Sequence, residues 1–135
     1  MRLILTKDMK TTVVKPRWYS GFDEELRELG KEDPEAFRQW HDWYEPKARQ
    51  PPWLKRDSHE SLDRLRKVLD SAIREKRWTC EPLREGPNNT FIACVVRRDA
   101  IRYCGTGKSG GDALLDAYLS ALKGCRGSEI CPWLP

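Results

Sequence analysis

Residues Cys104 to Asp112, Cys-Gly-Thr-Gly-Lys-Ser-Gly-Gly-Asp, set glycines, a lysine and a serine just ahead of the alanine- and leucine-rich run that follows. Glycine-rich backbone entering a helix is the composition that cradles phosphate. A P-loop, however, needs Gly-x-x-x-x-Gly-Lys-Ser/Thr so that successive N–H groups converge on the anion. Gly107-Lys108-Ser109 supplies the end of that pattern, but Arg102 stands where its first glycine belongs, inside a segment that reads as a strand. With no acidic Walker-B strand and no parallel sheet legible, the stretch argues against nucleotide hydrolysis. Other catalytic arrangements fare no better. The two histidines, His41 and His59, stand beside no residue that reads as a catalytic nucleophile, and no spacing singles out a pair among the 21 acidic residues. Cys80, Cys94, Cys104, Cys125 and Cys131 include no CxxC pair and lie far from both histidines. They read as reduced, partly buried thiols rather than zinc ligands, with a Cys125–Cys131 bridge left open. No cofactor or metal is implied, and the chain is expected not to be an enzyme. A deep pocket around His41, His59 or Cys104 is what would revive that class.

Charge points towards macromolecules instead. The 135 residues carry a net +4, with 34 % charged residues and a mean hydropathy of -0.76, yet six tryptophans require a folded interior. Between Phe22 and Glu45, nine acidic residues face three basic ones, a net of −6 that leaves +10 on the remainder. Either an acidic helical arm lies on a basic domain, or one of the two is a partner-facing surface. No stretch approaches the eighteen apolar residues of a membrane span, and Arg2–Leu5 is too short for a secretory core, so a cytoplasmic chain without membrane contact is expected.

The elements that must position these residues follow from periodicity. "RLILT" and "TTVV" read as a small hairpin or an edge strand. Ser20-Gly-Phe-Asp23 opens a short helix ending at Gly30, and Asp33-Pro34-Glu35 opens another whose Phe37, Trp40 and Tyr44 form a core-facing stripe. The prolines of "YEPKARQPPWLKR" rule out continuous helix and mark the boundary of an N-terminal arm, residues 1–52. The main domain, 53–124, opens with a helix capped near Asp57–Glu60 that buries Leu62, Leu65, Leu69, Ala72 and Ile73. "RWTCEPL", "TFIACVVRR" and "AIRYCGT" then read as three strands, and a last helix runs from about Gly111 or Asp112 to Lys123 with Gly124 as its stop. Residues 125–135 form an irregular tail whose Trp133 folds back. The expected fold is α+β: an αβββα two-layer sandwich, a three-stranded antiparallel sheet with two helices on one face, preceded by the acidic, Trp-rich arm.

Within that layout, Gly86-Pro87, Phe91, Gly105-x-Gly107-x-Ser109, Ala113 and Ala117 fall in register with a known pattern. Residues 60–124 resemble a double-stranded RNA-binding domain, in which lysines after the serine meet phosphates and a histidine of the Gly-Pro turn reaches the minor groove. Here Gly110, Gly111 and Leu114 stand at the lysine positions and Asn89 at the histidine position. The resemblance therefore implies a retained scaffold with its RNA grip largely lost, since each neutralised phosphate adds to affinity. In layout and composition the chain also resembles small phage proteins with an "ABA sandwich" domain.

The reading that results is a non-enzymatic macromolecular-binding module. Its partner is expected to be a host or complex protein, with the chain acting as an interaction or inhibitor protein of phage or mobile-element type. The arm carboxylates Asp23, Glu24, Glu25, Glu28 and Glu32 are its candidate contacts. The alternative is a binder of structured RNA or duplex DNA through Arg64, Lys67, Asn88, Asn89, Arg97, Arg98, Arg102, Lys108, Ser109 and the basic Lys47–Arg56 linker.

Overall fold

Ten positions between Gly111 and Ala121 in the last helix, α4 (Gly110–Lys123), are buried, on every side of the helix. A helix so apolar all round must be covered on both faces, and the rest of the fold does this. The structure, a computed structural model, describes residues 2–5, 11–14 and 22–124. Ser20, the Cys125–Cys131 pair, Trp133 and the rest of the expected tail lie outside the described residues.

One face of α4 rests on the sheet. Strands β5 (Phe91–Val96) and β6 (Ile101–Gly107) form its antiparallel centre. The expected single strand at "RWTCEPL" is instead two short ones, β3 (Thr79–Cys80) and β4 (Arg84–Glu85), both antiparallel to β5. Pro82 has no N–H to give the ladder, and the register slips there by one residue, from Cys80↔Val95 to Arg84↔Ile92. On the other side, β1 (Arg2–Leu5) and β2 (Thr11–Val14) form a hairpin whose second strand runs parallel to β6. The sheet is therefore mixed, in the order β1-β2-β6-β5-β3 with β4 also on β5, rather than a three-stranded antiparallel one.

The opposite face of α4 is covered by helices. α3 (His59–Glu75), with Ser58 as its N-cap, buries Ser61, Leu65, Val68, Leu69 and Ile73; Leu62 and Ala72 stand at the margin of the expected face. α1 (Phe22–Glu32) and α2 (Pro34–Ala48) add Leu26, Leu29, Ala36 and Trp40 to the same core. The segment expected as an arm with a core-facing aromatic stripe contributes these residues to the interior it shares with the sheet and α4. Two boundaries differ from expectation for local reasons. α1 continues through Gly30, where a Cβ would stand 3.6 Å from the Phe37 ring, and α2 continues through Pro46, whose missing N–H falls in an exposed last turn.

Cys94 and Cys104 are not reduced thiols but a disulfide. They face each other directly in the β5–β6 ladder with 4.2 Å between Cα atoms, a pairing that only the register reveals. By strand alternation they lie on the sheet face away from Ala93, Val95 and Tyr103, which pack into the core. Cys80 stays a free thiol, its pKa raised by burial and then by Asp70.

Candidate functional site

The glycine-rich stretch is a packing joint. Gly105 lies under α4: a Cβ there would stand 2.3 Å from the Ala117 amide nitrogen and 2.7 Å from the Ala113 carbonyl oxygen. Gly111 lies under α3, where a Cβ would stand 2.3 Å from the Leu62 carbonyl oxygen. Ser109 caps α4, its Oγ accepting from the Asp112 N–H at 3.1 Å. The Asp112 carboxylate in turn accepts from the Lys108 N–H at 3.4 Å, so negative charge already sits where a phosphate would approach. Glycine at 111 is required by the helix–helix contact, and a lysine there would point into the α3 backbone.

The basic residues expected to grip nucleic acid are divided. Arg97 donates to the Ala121 carbonyl oxygen at 3.1 Å and to Asp99 at 2.7 Å, over the Trp78 and Tyr103 rings. It thereby closes the C-terminus of α4, where Tyr103 also donates to the Gly124 carbonyl oxygen. Arg102 pairs with Glu81 at 2.9 Å, and Arg64 covers the Trp43 ring at 5.6 Å. Lys67, Arg98 and Lys108 are exposed and form no ion pair among the described residues. Asn88 and Asn89, exposed and both at positive φ, form the tight turn between β4 and β5. That turn and Lys108–Ser109 share the Phe91↔Gly107 end of the sheet. Arg98 stands at the other end, roughly 20 Å away along a seven-residue strand.

Of the acidic candidates only Glu25 is buried; Asp23, Glu24 and Glu32 are exposed and Glu28 is half-buried. Asp23 pairs with Arg56 at 3.2 Å, and Glu28 bonds Lys123 at 3.1 Å and Lys31 at 3.7 Å. The Lys123 hydrogen bond, above all, lowers the Glu28 pKa below its ordinary value.

What the sequence did not single out is a cleft between α1 and α2. Asp33 alone separates the two helices, so the chain reverses within one residue. Its Oδ1 caps α2 by accepting from Ala36 N–H at 3.2 Å, and its Oδ2 accepts from the Tyr118 hydroxyl at 2.5 Å. Burial, then that bond, pushes the Tyr118 pKa far above the ordinary tyrosine range. Trp40 fixes α2 to α3, its Nε1 donating to the Ser61 carbonyl oxygen at 3.3 Å and its ring stacking on Tyr44 at 4.8 Å. The two helices diverge around a cleft of about 540 Å³, with Leu26, Phe37, Trp40 and Tyr44 in its lining. Arg27, Arg49 and Arg56 also line it, beside Asp23 and Glu45.

His41 lines this cleft, stacked on Phe37 at 5.3 Å and 2.7 Å from Glu45, which also binds Arg49. The lining includes no serine, threonine or cysteine that this histidine could activate. A second hollow lies beside the last turn of α2, lined by Pro46, Lys47, Pro51, Pro52 and Leu54 among others. In the loop from Arg49 to Arg56, whose residues contribute to both linings, Trp53 is 66 % exposed. The cleft had a partial sequence signal, Phe37, Trp40, His41 and Tyr44 at helical spacing, but nothing local placed Arg27 opposite them. Among the described residues no cluster of histidine, cysteine or carboxylate could hold a metal ion, and no helix is long and apolar enough to cross a membrane. Comparison with protein-family models, with curated proteins and with solved structures returns no match.

Proposed function

We propose that the chain is a non-enzymatic protein-interaction module whose binding face is the α1–α2 cleft and the Trp53 loop beside it. One observation carries the reading: Trp53, the exposed large hydrophobic among the described residues, lies in a loop whose neighbouring residues line both hollows. Tryptophan, tyrosine and arginine dominate the energetics of protein interfaces; Tyr44, Arg27, Arg49 and Arg56 line the cleft, and Trp53 stands in the loop that joins Arg49 to Arg56. The basic residues favour nucleic acid less. Arg97 and Arg102 are held by the fold, and Arg98 is remote from Lys108.

Affinity capture from the native host, after nuclease treatment, tests this. The wild-type chain and an Arg98→Glu/Lys108→Glu variant are expected to retain the same protein, and Trp53→Ser to lose it with the circular-dichroism spectrum unchanged. Capture that disappears with nuclease, or with the Arg98/Lys108 variant alone, would replace this reading by nucleic-acid binding.

A further inference from the structure

We infer that the Cys94–Cys104 disulfide is a redox-sensitive switch, opened at Cys104 by an external dithiol, with Cys94 leaving as a thiolate held by the Arg84 guanidinium. The bond sits where it can open without dismantling the sheet. The Cys94 carbonyl accepts from the Glu81 N–H at 2.9 Å, on the β3 side, and the 4.2 Å between the Cys94 and Cys104 Cα atoms is the closer spacing of an antiparallel ladder. The two cysteines are therefore a non-hydrogen-bonded pair, and parting their sulfurs breaks no backbone bond. The flanking pairs Ala93↔Gly105 and Val95↔Tyr103 keep β5 on β6.

The two sulfurs have different surroundings. Arg84 opposes Ile92, two residues before Cys94, so alternation puts its side chain on the sheet face of the disulfide, where its Nη2 donates to the Cys94 Sγ at 3.7 Å. Arg84 forms no ion pair among the described residues, so its charge is directed at this sulfur. Arg102, on the same face beside Cys104, is already paired with Glu81 at 2.9 Å. A disulfide sulfur is a weak acceptor, whereas a thiolate in its place makes a charge-assisted hydrogen bond, so the Arg84 contact strengthens as the bond opens. A stabilised thiolate is the better leaving group, which directs attack to Cys104. Cys104 is also the more open of the two, 5 % exposed against 1 %. Cys80, the free thiol among the described residues, opposes Val95 and packs against the core on the other face, so the attacking thiol comes from outside.

The exchange balances in two steps. One thiolate of the dithiol attacks the Cys104 Sγ, the S–S electron pair passes to Cys94, and a mixed disulfide forms on Cys104. The second thiolate attacks the dithiol's own sulfur in that mixed disulfide, closing the dithiol into a disulfide and releasing Cys104, which takes a proton from solvent. The protein gains the two electrons that the dithiol loses.

The test equilibrates the full chain in buffers of fixed reduced-to-oxidised dithiothreitol ratio, quenches with iodoacetamide and maps Cys94 and Cys104 by mass spectrometry. The pair is expected to open while the circular-dichroism spectrum stays native. Arg84→Leu should need roughly tenfold more reduced dithiothreitol for half-opening, and Arg84→Lys should restore most of that shift. Arg84 is exposed, so both variants stay folded. Brief exposure to glutathione should leave its mixed disulfide on Cys104. Opening only where the native spectrum is lost, an unchanged half-opening ratio in Arg84→Leu, a lysine variant no better than the leucine one, or glutathione on Cys94 would each overturn the inference.

Discussion

Asp33 joins three parts of the structure through two oxygens: it turns α1 into α2, caps α2 through Ala36 and anchors both to α4 through Tyr118. Lys76 of α3's C-cap approaches the same carboxylate at 4.0 Å. Tyr118→Phe is expected to destabilise by about 1.5–3 kcal/mol, the range for hydrogen bonds to charged groups. Asp33→Ala adds the loss of a cap, about 0.5–2 kcal/mol, and a double-mutant cycle in urea should show the two coupled. The sign of the pH effect follows from the raised Tyr118 pKa. Its contribution is complete below the unfolded tyrosine value of about 10 and is lost as pH rises beyond it, so alkaline melts should separate wild type from Tyr118→Phe less as pH increases. Glu28 works in the opposite sense: its pKa is lowered, so its contribution is present above the ordinary glutamate value and lost as pH falls. At Gly111, alanine would improve helix propensity by about 1 kcal/mol, yet it drives a Cβ into the Leu62 carbonyl. Gly111→Ala is therefore expected to lose about 1–3 kcal/mol in denaturant melts. The Gly124 stop is local and was readable; the Ser109 cap, one residue ahead of the expected start, was not singled out, and the burden on Gly111 was hidden because it depends on α3, some fifty residues upstream.

Among the elements, those set by local periodicity and capping were legible. α3 and α4 lie where the apolar spacing and cap residues placed them, and β5 and β6 flank the expected tight connection. Failures occurred where tertiary contact overrides local preference. Gly30 did not end α1 because Phe37 covers it, and β2's parallel pairing with β6 joins segments some ninety residues apart. The Cys94–Cys104 bridge belongs to the same class, visible only once register is known. Its short loop gives an expected stabilisation of about 2–3 kcal/mol by chain-entropy scaling. Without reductant, Cys94 and Cys104 should resist alkylation in denaturant, and adding reductant should lower the melting temperature. Full alkylation under non-reducing conditions would show an open pair.

Across the whole molecule, the uneven charge of the sequence becomes an internal arrangement. The acidic helices lie on the basic remainder through Glu28–Lys123, Asp23–Arg56 and Asp33–Lys76. Such exposed pairs add little stability singly, but they occupy much of the charge that either partner surface would have used. α+β character and a core shared by all three helices of α4's outer layer leave the exposed Trp53 and the α1–α2 cleft as surface not accounted for by folding. Of that surface, the aromatic spacing was readable; the opposition of Arg27 to Tyr44 was not, because it depends on the reversal at Asp33.

The most direct measurement is site-specific photo-crosslinking in the native host, with a benzophenone residue replacing either Trp53 or Arg98 in otherwise wild-type chain. A nuclease-resistant protein adduct from position 53 and none from position 98 is the expected result. A nucleic-acid adduct from position 98, with position 53 silent, would contradict the assignment of the α1–α2 face as the binding surface.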